Sequence, residues 1–534
     1  MTDAVTDTVT DTDAITRQTH IGIVLLLGDR AYKIKKPVRT AFLDFSTRAR
    51  RQEALVRELQ LNRRIAPDVY LGMAELTDPL GPGEPVLAMR RMPEERRLTR
   101  LIDDAAPVEE HLRRLARLLA AFHARADRGP HVTVDGTPAA LRRRWSDNLT
   151  EIRPVADGLV DPVEVDAVEH LALRYVDGRH TLLRERATSG HIVDGHGDLI
   201  ADDVFCLDDG PRVLDCLEFD DRLRHVDVID DAAFLAMDLE RLGRPDLART
   251  FLAHYQEFSA DTGPLSLRHH YIAYRALVRA KVAALRHQQD RRQSDRPGTR
   301  AGAGLDTGLD TGLDTVRCHV RLALSHLRAG APRLALVGGL PGTGKTTVAT
   351  GLADDVGAAL LSSDRLRKEI AGISPSTPAP AAYGEGLYAP RRTDAVYTEL
   401  LRRARHLLER GESVVLDASW TDPRHRDRAA ELARATCSEL VAVRCVAPAI
   451  LAADRIRHRG PTPSDATPTV AAVMAATSEG WLEATVVDST RPVAACVEAA
   501  TNAWTSEPST PTPTTTTEHH GATPQRNTTA GRLT

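Results

Sequence analysis

Residues Gly339-Leu340-Pro341-Gly342-Thr343-Gly344-Lys345-Thr346 have the spacing G-x4-G-K-[ST]. In such a run the glycines let successive backbone N–H groups curl around phosphate oxygens. Lys345 offers a point charge to the β and γ oxygens, and the Thr346 hydroxyl can complete a Mg²⁺ shell. An apolar strand, Leu334 to Val337, precedes the run and a helix through Thr347 follows, so the helix dipole adds to the anion site. Gly339, Gly342, Thr343, Gly344, Lys345, Thr346 and Thr347 are the candidate nucleotide-binding residues, with Lys345 also a candidate catalytic group. Two further apolar segments end in carboxylates, at Asp364 and Asp417. Asp417, ending a strand beside the phosphate-loop strand, suits indirect Mg²⁺ coordination. Asp364 is a candidate base for an acceptor hydroxyl, or an N-cap for the helix that follows, or both. Arg455 and Arg459, four apart, read either as a lid over transferring phosphates or as a solvated helix face.

A second set of reactive residues lies in the first half. Lys33 and Lys35 are two apart on a strand after the Gly28-Asp29 turn and so share one sheet face. The helical stretch after them carries Glu53 and Glu58 as candidate ion-pair partners, with Glu58 preferred. Then comes His196-Gly197-Asp198-Leu199, with Asp203 five residues after Asp198, followed by Asp215, Glu218, Asp227 and Asp231. This series resembles the aminoglycoside-phosphotransferase family of small-molecule kinases, whose pattern is H-G-D-L-x-x-x-N, then I-D-x-E, then D-P-x-x-D-L-A. The resemblance implies that Asp198 orients and deprotonates an acceptor hydroxyl and that Asp215 holds Mg²⁺ against ATP phosphates. It also implies that Lys33 or Lys35, held by Glu58, binds the α and β phosphates. Asp227 and Asp231 would cap a helix and brace the loop.

Two positions depart from that pattern. Asp203 replaces the metal-binding asparagine; a carboxylate is at least as good a Mg²⁺ ligand, and the substitution reads as a variant site. No G-x-G-x-x-G precedes Lys33. The second half resembles the small P-loop kinases related to gluconate kinase and the zeta-toxin kinases, in which Asp364 is a substrate-side acid and the arginine pair a lid. The order of the two halves resembles the bacterial bifunctional aminoglycoside-phosphotransferase-like/ATP-binding proteins. That resemblance implies a multidomain chain: an α+β protein-kinase-like fold, then an α/β P-loop NTPase with a parallel sheet.

The elements that must position these groups are divided by three polar stretches. Residues 1–18, 288–315 (with three tandem GLDT units) and 504–534 lack the apolar content to offset chain entropy and read as disordered. Two folded units remain, 19–287 and 316–503. A chain of 534 residues with 42% hydrophobic residues has material for two cores. A net charge of −4 gives no general pull toward nucleic acid or anionic membrane, and neither is expected as a partner. Six scattered cysteines without a CxxC pair argue against a disulfide framework or structural zinc. No basic n-region with an apolar core opens the chain, and no run reaches membrane-span length, so a cytoplasmic location is expected. The helix at 111–126 reads as core with His123 packing. Arg275, Arg279 and Lys281 read as a solvated face, or as an anion site.

Together these features predict an ATP- and Mg²⁺-dependent phosphotransferase acting on a small hydroxylated acceptor through two nucleotide-binding domains. The second reading keeps the P-loop domain active and makes the first a sensing or scaffold module. A polycationic acceptor would need an acidic lining, for which the Asp-Asp pairs at 202–203, 208–209, 220–221 and 230–231 are the candidates.

Overall fold

The computed structural model describes residues 15–18, 21–39, 44–77, 83–294, 304–460 and 462–506. The first unit is α+β. Its N-terminal sheet has five antiparallel strands in the order β1 (Ile15–Gln18), β2 (Gly22–Leu27), β3 (Arg30–Lys35), β5 (Glu84–Arg90), β4 (Tyr70–Leu76). The register Leu27↔Arg30 closes β2 and β3 around a two-residue turn, with Gly28 at φ +53° as such hairpins require. Helix α1 (Arg48–Asn62) packs on β4 and β5 and turns Leu55, Glu58 and Leu61 inward. Thr47 caps it by accepting the Arg50 N–H.

Below the sheet lies a helical layer. It includes α2 (Glu109–Arg125), α3 (Val228–Arg241) and α4 (Leu265–Ser294). Two short ladders, β6 (Ile192–Asp194) with β9 (His225–Asp227) and β7 (Val204–Leu207) with β8 (Gly210–Val213), carry the polar loops between the layers.

Three boundaries differ from the expectation. Residues 15–18 form an edge strand rather than part of a disordered tail, because β2 offers a free edge that they pair in register. The stretch 288–315 is largely helical: α4 continues to Ser294, and α5 (Gly304–Ala329) contains the GLDT units. The leucines of those units recur every four residues, and after a step of three the apolar series continues at Val316, Val320 and Leu324. The helix containing the repeat packs along α4, and from Leu313 onward its apolar residues join the first unit's core. Val316, Val320, Ala323 and Leu327 belong to the first unit's core, so the second unit begins after Ala329, not at 316. Residues 1–14, 295–303 and 507–534 lie outside the described residues.

The second unit is α/β. Its five parallel strands run in the order β11 (Ala359–Ser362), β12 (Val414–Asp417), β10 (Arg333–Gly338), β13 (Glu439–Val446), β14 (Thr485–Asp488). A central β10 flanked on both sides is buried on both faces, and Leu334 through Val337 are almost fully inaccessible. The units dock directly: buried Arg179 donates to the Thr436 carbonyl, and Ser266 Oγ donates to Gly411 O at 2.7 Å.

Candidate functional site

The loop leaving β10 enters helix α6 (Lys345–Val356), with Gly344 at its N-cap in the left-handed region, φ +80°. A Cβ on Gly342, also at φ +80°, would lie 2.4 Å from the Ala452 carbonyl oxygen; one on Gly339 would lie 2.6 Å from Cys445 O. Only glycine permits the loop to fold this tightly. Thr343 closes it from within by donating to Leu340 O at 2.7 Å. Lys345 and Thr346 open α6, and Thr347 follows them on its exposed side.

Parallel register sets Ser362 beside Asp417, both at the carboxyl ends of their strands. Thr346 Oγ1 donates to Asp417 Oδ2 at 2.9 Å and Ser362 Oγ does so at 3.2 Å, while Oδ1 is buried without a hydrogen-bond partner. Burial pushes the Asp417 pKa up, with Lys345 and the Thr346 hydrogen bond pulling against it. An unsatisfied buried carboxylate oxygen beside a threonine hydroxyl is a donor set that fits a divalent cation.

Helix α7 (Ser363–Ile370) begins at this edge. Ser362, not Asp364, occupies the N-cap position, because the helix starts at Ser363 and Asp364 falls in its first turn. Asp364 is therefore not committed to capping. The Tyr388 hydroxyl is pushed up to about 12, first by burial and then by the Asp364 charge, which places that carboxylate within electrostatic reach of the tyrosine. Arg367 lies over the Tyr388 ring at 4.6 Å. Buried Lys368 pairs with Asp465 at 3.2 Å and donates to Thr377 O at 2.8 Å, pinning the segment after the helix. Sequence places Arg367 on this helix without a role, and does not single out Ser362, Lys368 or Tyr388.

The arginine pair does not share a helical face. Helix α8 (Ala449–His458) stops one residue short of Arg459, whose backbone is extended ahead of Gly460-Pro461, and Arg459 donates to Ala466 O. Arg455 alone reaches the phosphate loop. It donates to Ser489 O at 2.7 Å and lies 3.9 Å from where a Gly344 Cβ would be.

In the first unit Glu58, wholly inaccessible, meets both lysines: Lys33 Nζ at 2.7 Å and Lys35 Nζ at 2.8 Å. Glu53 faces outward on α1 and joins neither lysine. Lys33 also pairs with Asp215, and Lys35 with Glu218. Burial works to lower both ammonium pKa values, but the surrounding carboxylates hold them above the usual lysine range. Lys35, one of the two lysines read as candidates for the phosphates, is 1% exposed and enclosed by Glu58, Glu218 and the Phe45 ring, a bracing place. Lys33, beside the half-exposed Asp215, is the lysine that fronts the cleft.

Asp198, Asp203 and Asp215 come together beside Lys33. Asp203 O accepts from Leu214 N at 2.9 Å, and Asp215 N donates to the buried Tyr70 hydroxyl at 3.0 Å. That bond accompanies a left-handed Asp215, φ +64°. Burial and then the Asp215 and Asp198 charges push Asp203 well above the ordinary carboxylate range. Burial raises Asp198 too, against Arg279. Asp215 is opposite: burial would raise it, but Lys33 brings it down. Among the described residues no three His, Cys, Asp or Glu side chains close on one point, so a cation here would take its remaining ligands from phosphate and water.

The loop is braced from below. Asp231 accepts from His196 N (2.7 Å) and Gly197 N (2.9 Å), and His123 Nε2 stands 3.0 Å from it. His123 is buried, as a packing residue would be, yet it is also wired to Asp231 and Tyr255. Asp227 caps α3 and pairs with Arg186. Arg275 is not on a solvated face: it is buried, bidentate to Asp230, because a carboxylate buried in α3 requires a counter-ion. Asn62, one turn after Glu58, accepts from Cys216 N at 2.9 Å and ties α1 to the Asp215 loop.

A family model described as an AAA domain matches residues 334–480. The uncharacterized protein Rv2004c of Mycobacterium tuberculosis (strain ATCC 25618 / H37Rv) is 45% identical over 491 residues, covering 92% of this chain and 95% of its own. The uncharacterized protein Mb2027c of Mycobacterium bovis (strain ATCC BAA-935 / AF2122/97) has the same identity and coverage. Among solved structures, a gluconokinase from Sinorhizobium meliloti 1021 is 22% identical, covering 32% of this chain and 91% of its own, with a TM-score of 0.25. A choline/ethanolamine kinase family protein from Mesorhizobium loti is 13% identical, covering 59% of this chain and 92% of its own, with a TM-score of 0.34.

Proposed function

The chain belongs to the family of the mycobacterial proteins Rv2004c and Mb2027c, and we propose that it is an ATP-dependent phosphotransferase that moves a γ-phosphate to a hydroxyl of a small molecule. The observation that carries this reading is the phosphate loop with Thr346 bonded to an Asp417 whose second oxygen is left buried and unpaired. The loop amides and Lys345 would bind the β and γ phosphates, and Arg455 would add charge at the same end. Asp364, free of capping duty and at the same sheet edge, would orient the acceptor hydroxyl and take its proton.

The first domain is proposed to bind a second nucleotide. Glu58 holds Lys33 toward the α and β phosphates, Lys35 and Glu218 keep Glu58 in place, and Asp198 acts as base toward its own acceptor. Mg²⁺, bound by Thr346 and Asp417 in one domain and by Asp203 and Asp215 in the other, would neutralise charge on the phosphate oxygens.

The test is ADP release from Mg²⁺ATP across sugars, sugar acids, nucleosides and aminoglycosides, with the intact protein, Lys345→Ala and Asp198→Ala. Acceptor-dependent release lost in one variant assigns acceptor and domain together. No acceptor raising release above the basal rate would overturn the phosphotransferase reading.

A further inference from the structure

Of the basic residues on α4 around the Asp198 loop, two are already committed. Arg275 is bidentate to Asp230 and donates to Gly197 O at 3.2 Å. Lys281 lies against Asn148 and Glu151. Arg279, one turn beyond Arg275, is different. Its guanidinium is partly exposed and stands 3.8 Å from Asp198 Oδ1, itself 38% exposed, which is outside hydrogen-bonding distance. An arginine that serves to hold a loop makes the close forked contact that Arg275 makes. Arg279 faces the same loop through charge alone, beside the carboxylate that would meet an acceptor hydroxyl.

The surroundings speak against a cationic acceptor. In the four Asp-Asp pairs that could have formed an acidic lining, every aspartate except Asp203 has an ion-pair partner, an arginine or, for Asp231, a histidine. Asp203 and Asp215 lie on the phosphate side with Lys33. What remains for the acceptor is Asp198 and a cation.

We infer that Arg279 is an acceptor-binding residue, and that the hydroxyl compound presented to Asp198 carries an anionic group, carboxylate or phosphate, which the guanidinium grips at two points. The inference rests on the phosphotransferase reading of the first domain. Binding of the anion would turn Arg279 away from Asp198 and leave that carboxylate to the hydroxyl.

The experiment uses the full chain carrying Lys345→Ala, so that only the first domain contributes. ADP release is followed with gluconate, ribose 5-phosphate, neutral glucose and cationic kanamycin. Stimulation by gluconate or by ribose 5-phosphate is expected, and which of them works separates carboxylate from phosphate. Arg279→Gln should then raise KM about tenfold or more while kcat changes less, and Arg279→Lys should restore part of it. Stimulation by glucose or kanamycin alone, or a KM indifferent to Arg279→Gln, overturns the inference. If no compound is turned over, calorimetry with the two anionic probes decides. Binding lost in Arg279→Gln sustains the site, and absence of binding, or binding insensitive to Arg279→Gln, rejects it. ADP release by Asp198→Ala protein, with Lys345 intact, reports separately on the P-loop domain.

Discussion

Replacing Lys35 by methionine probes the buried charge cluster under the first domain's cleft. Lys35 is 1% exposed and sits between Glu58 at 0% and Glu218 at 9%. Methionine keeps the volume but removes the cation. Glu58 retains Lys33, whereas Glu218 loses its ion-pair partner. Breaking a buried pair from one side costs about 3–5 kcal/mol, and the substitution is expected to destabilise the first domain by that amount at pH 7.5. The loss should depend on pH with a definite sign. Burial and Glu58 already raise the Glu218 pKa, and removal of Lys35 raises it further. A carboxyl group with a raised folded-state pKa loses stability as pH climbs above its unfolded value, near 4.3. The gap between variant and wild type should therefore narrow toward pH 5 and widen toward pH 8. Denaturant unfolding of the full chain at several pH values, read at the first domain's transition, measures it. A cost below about 1 kcal/mol, the level of an exposed pair, or a gap that widens on acidification, would refute the argument that Lys35 braces Glu58 and Glu218 in a desolvated cluster.

Three other outcomes follow from the geometry. Asp417→Asn should abolish the rise in melting temperature produced by Mg²⁺ATP at the P-loop domain; in the apo protein it should stabilise more at pH 8 than at pH 5, since the raised Asp417 pKa means stability lost with rising pH. Gly342→Ala places a Cβ 2.4 Å from Ala452 O at φ +80°, so binding of a fluorescent ATP analogue should weaken at least tenfold, with about 1–2 kcal/mol of backbone strain seen in unfolding. Asp203→Asn removes a carboxylate pushed upward by burial and by Asp215 and Asp198, so it should stabilise the apo protein increasingly above pH 5. It should also raise the Mg²⁺ concentration for half-maximal Asp198-dependent ADP release; an unchanged Mg²⁺ requirement would remove Asp203 from the cation site.

The phosphate loop was legible because its chemistry is local. Glycines at 339, 342 and 344, a lysine and a threonine act through their own backbone and the first turn of one helix, so spacing along the chain is spacing in space. The Lys33, Lys35 and Glu58 set was partly legible. A two-residue period puts both lysines on one face, but which of them fronts the cleft depends on Asp215 and Glu218, some 180 residues further on. Asp231 as a brace was implied by the family pattern, whereas the parts played by Asn62, Tyr70 and His123 left no pattern a single chain could display, since each contact joins residues from separate elements.

Composition misled at the GLDT units for a related reason. Judged alone, a run of glycine, aspartate and threonine cannot bury enough surface to order itself. It becomes helical as the start of a helix that packs along α4 and whose apolar residues from Leu313 onward join the first core. The arginines of α4 make the same point. Sequence establishes their charge and helical phase. Only the fold decides that Arg275 is neutralised by a buried Asp230 while Arg279, one turn on, still faces Asp198, because the free energy of a buried charge is set by what stands opposite it.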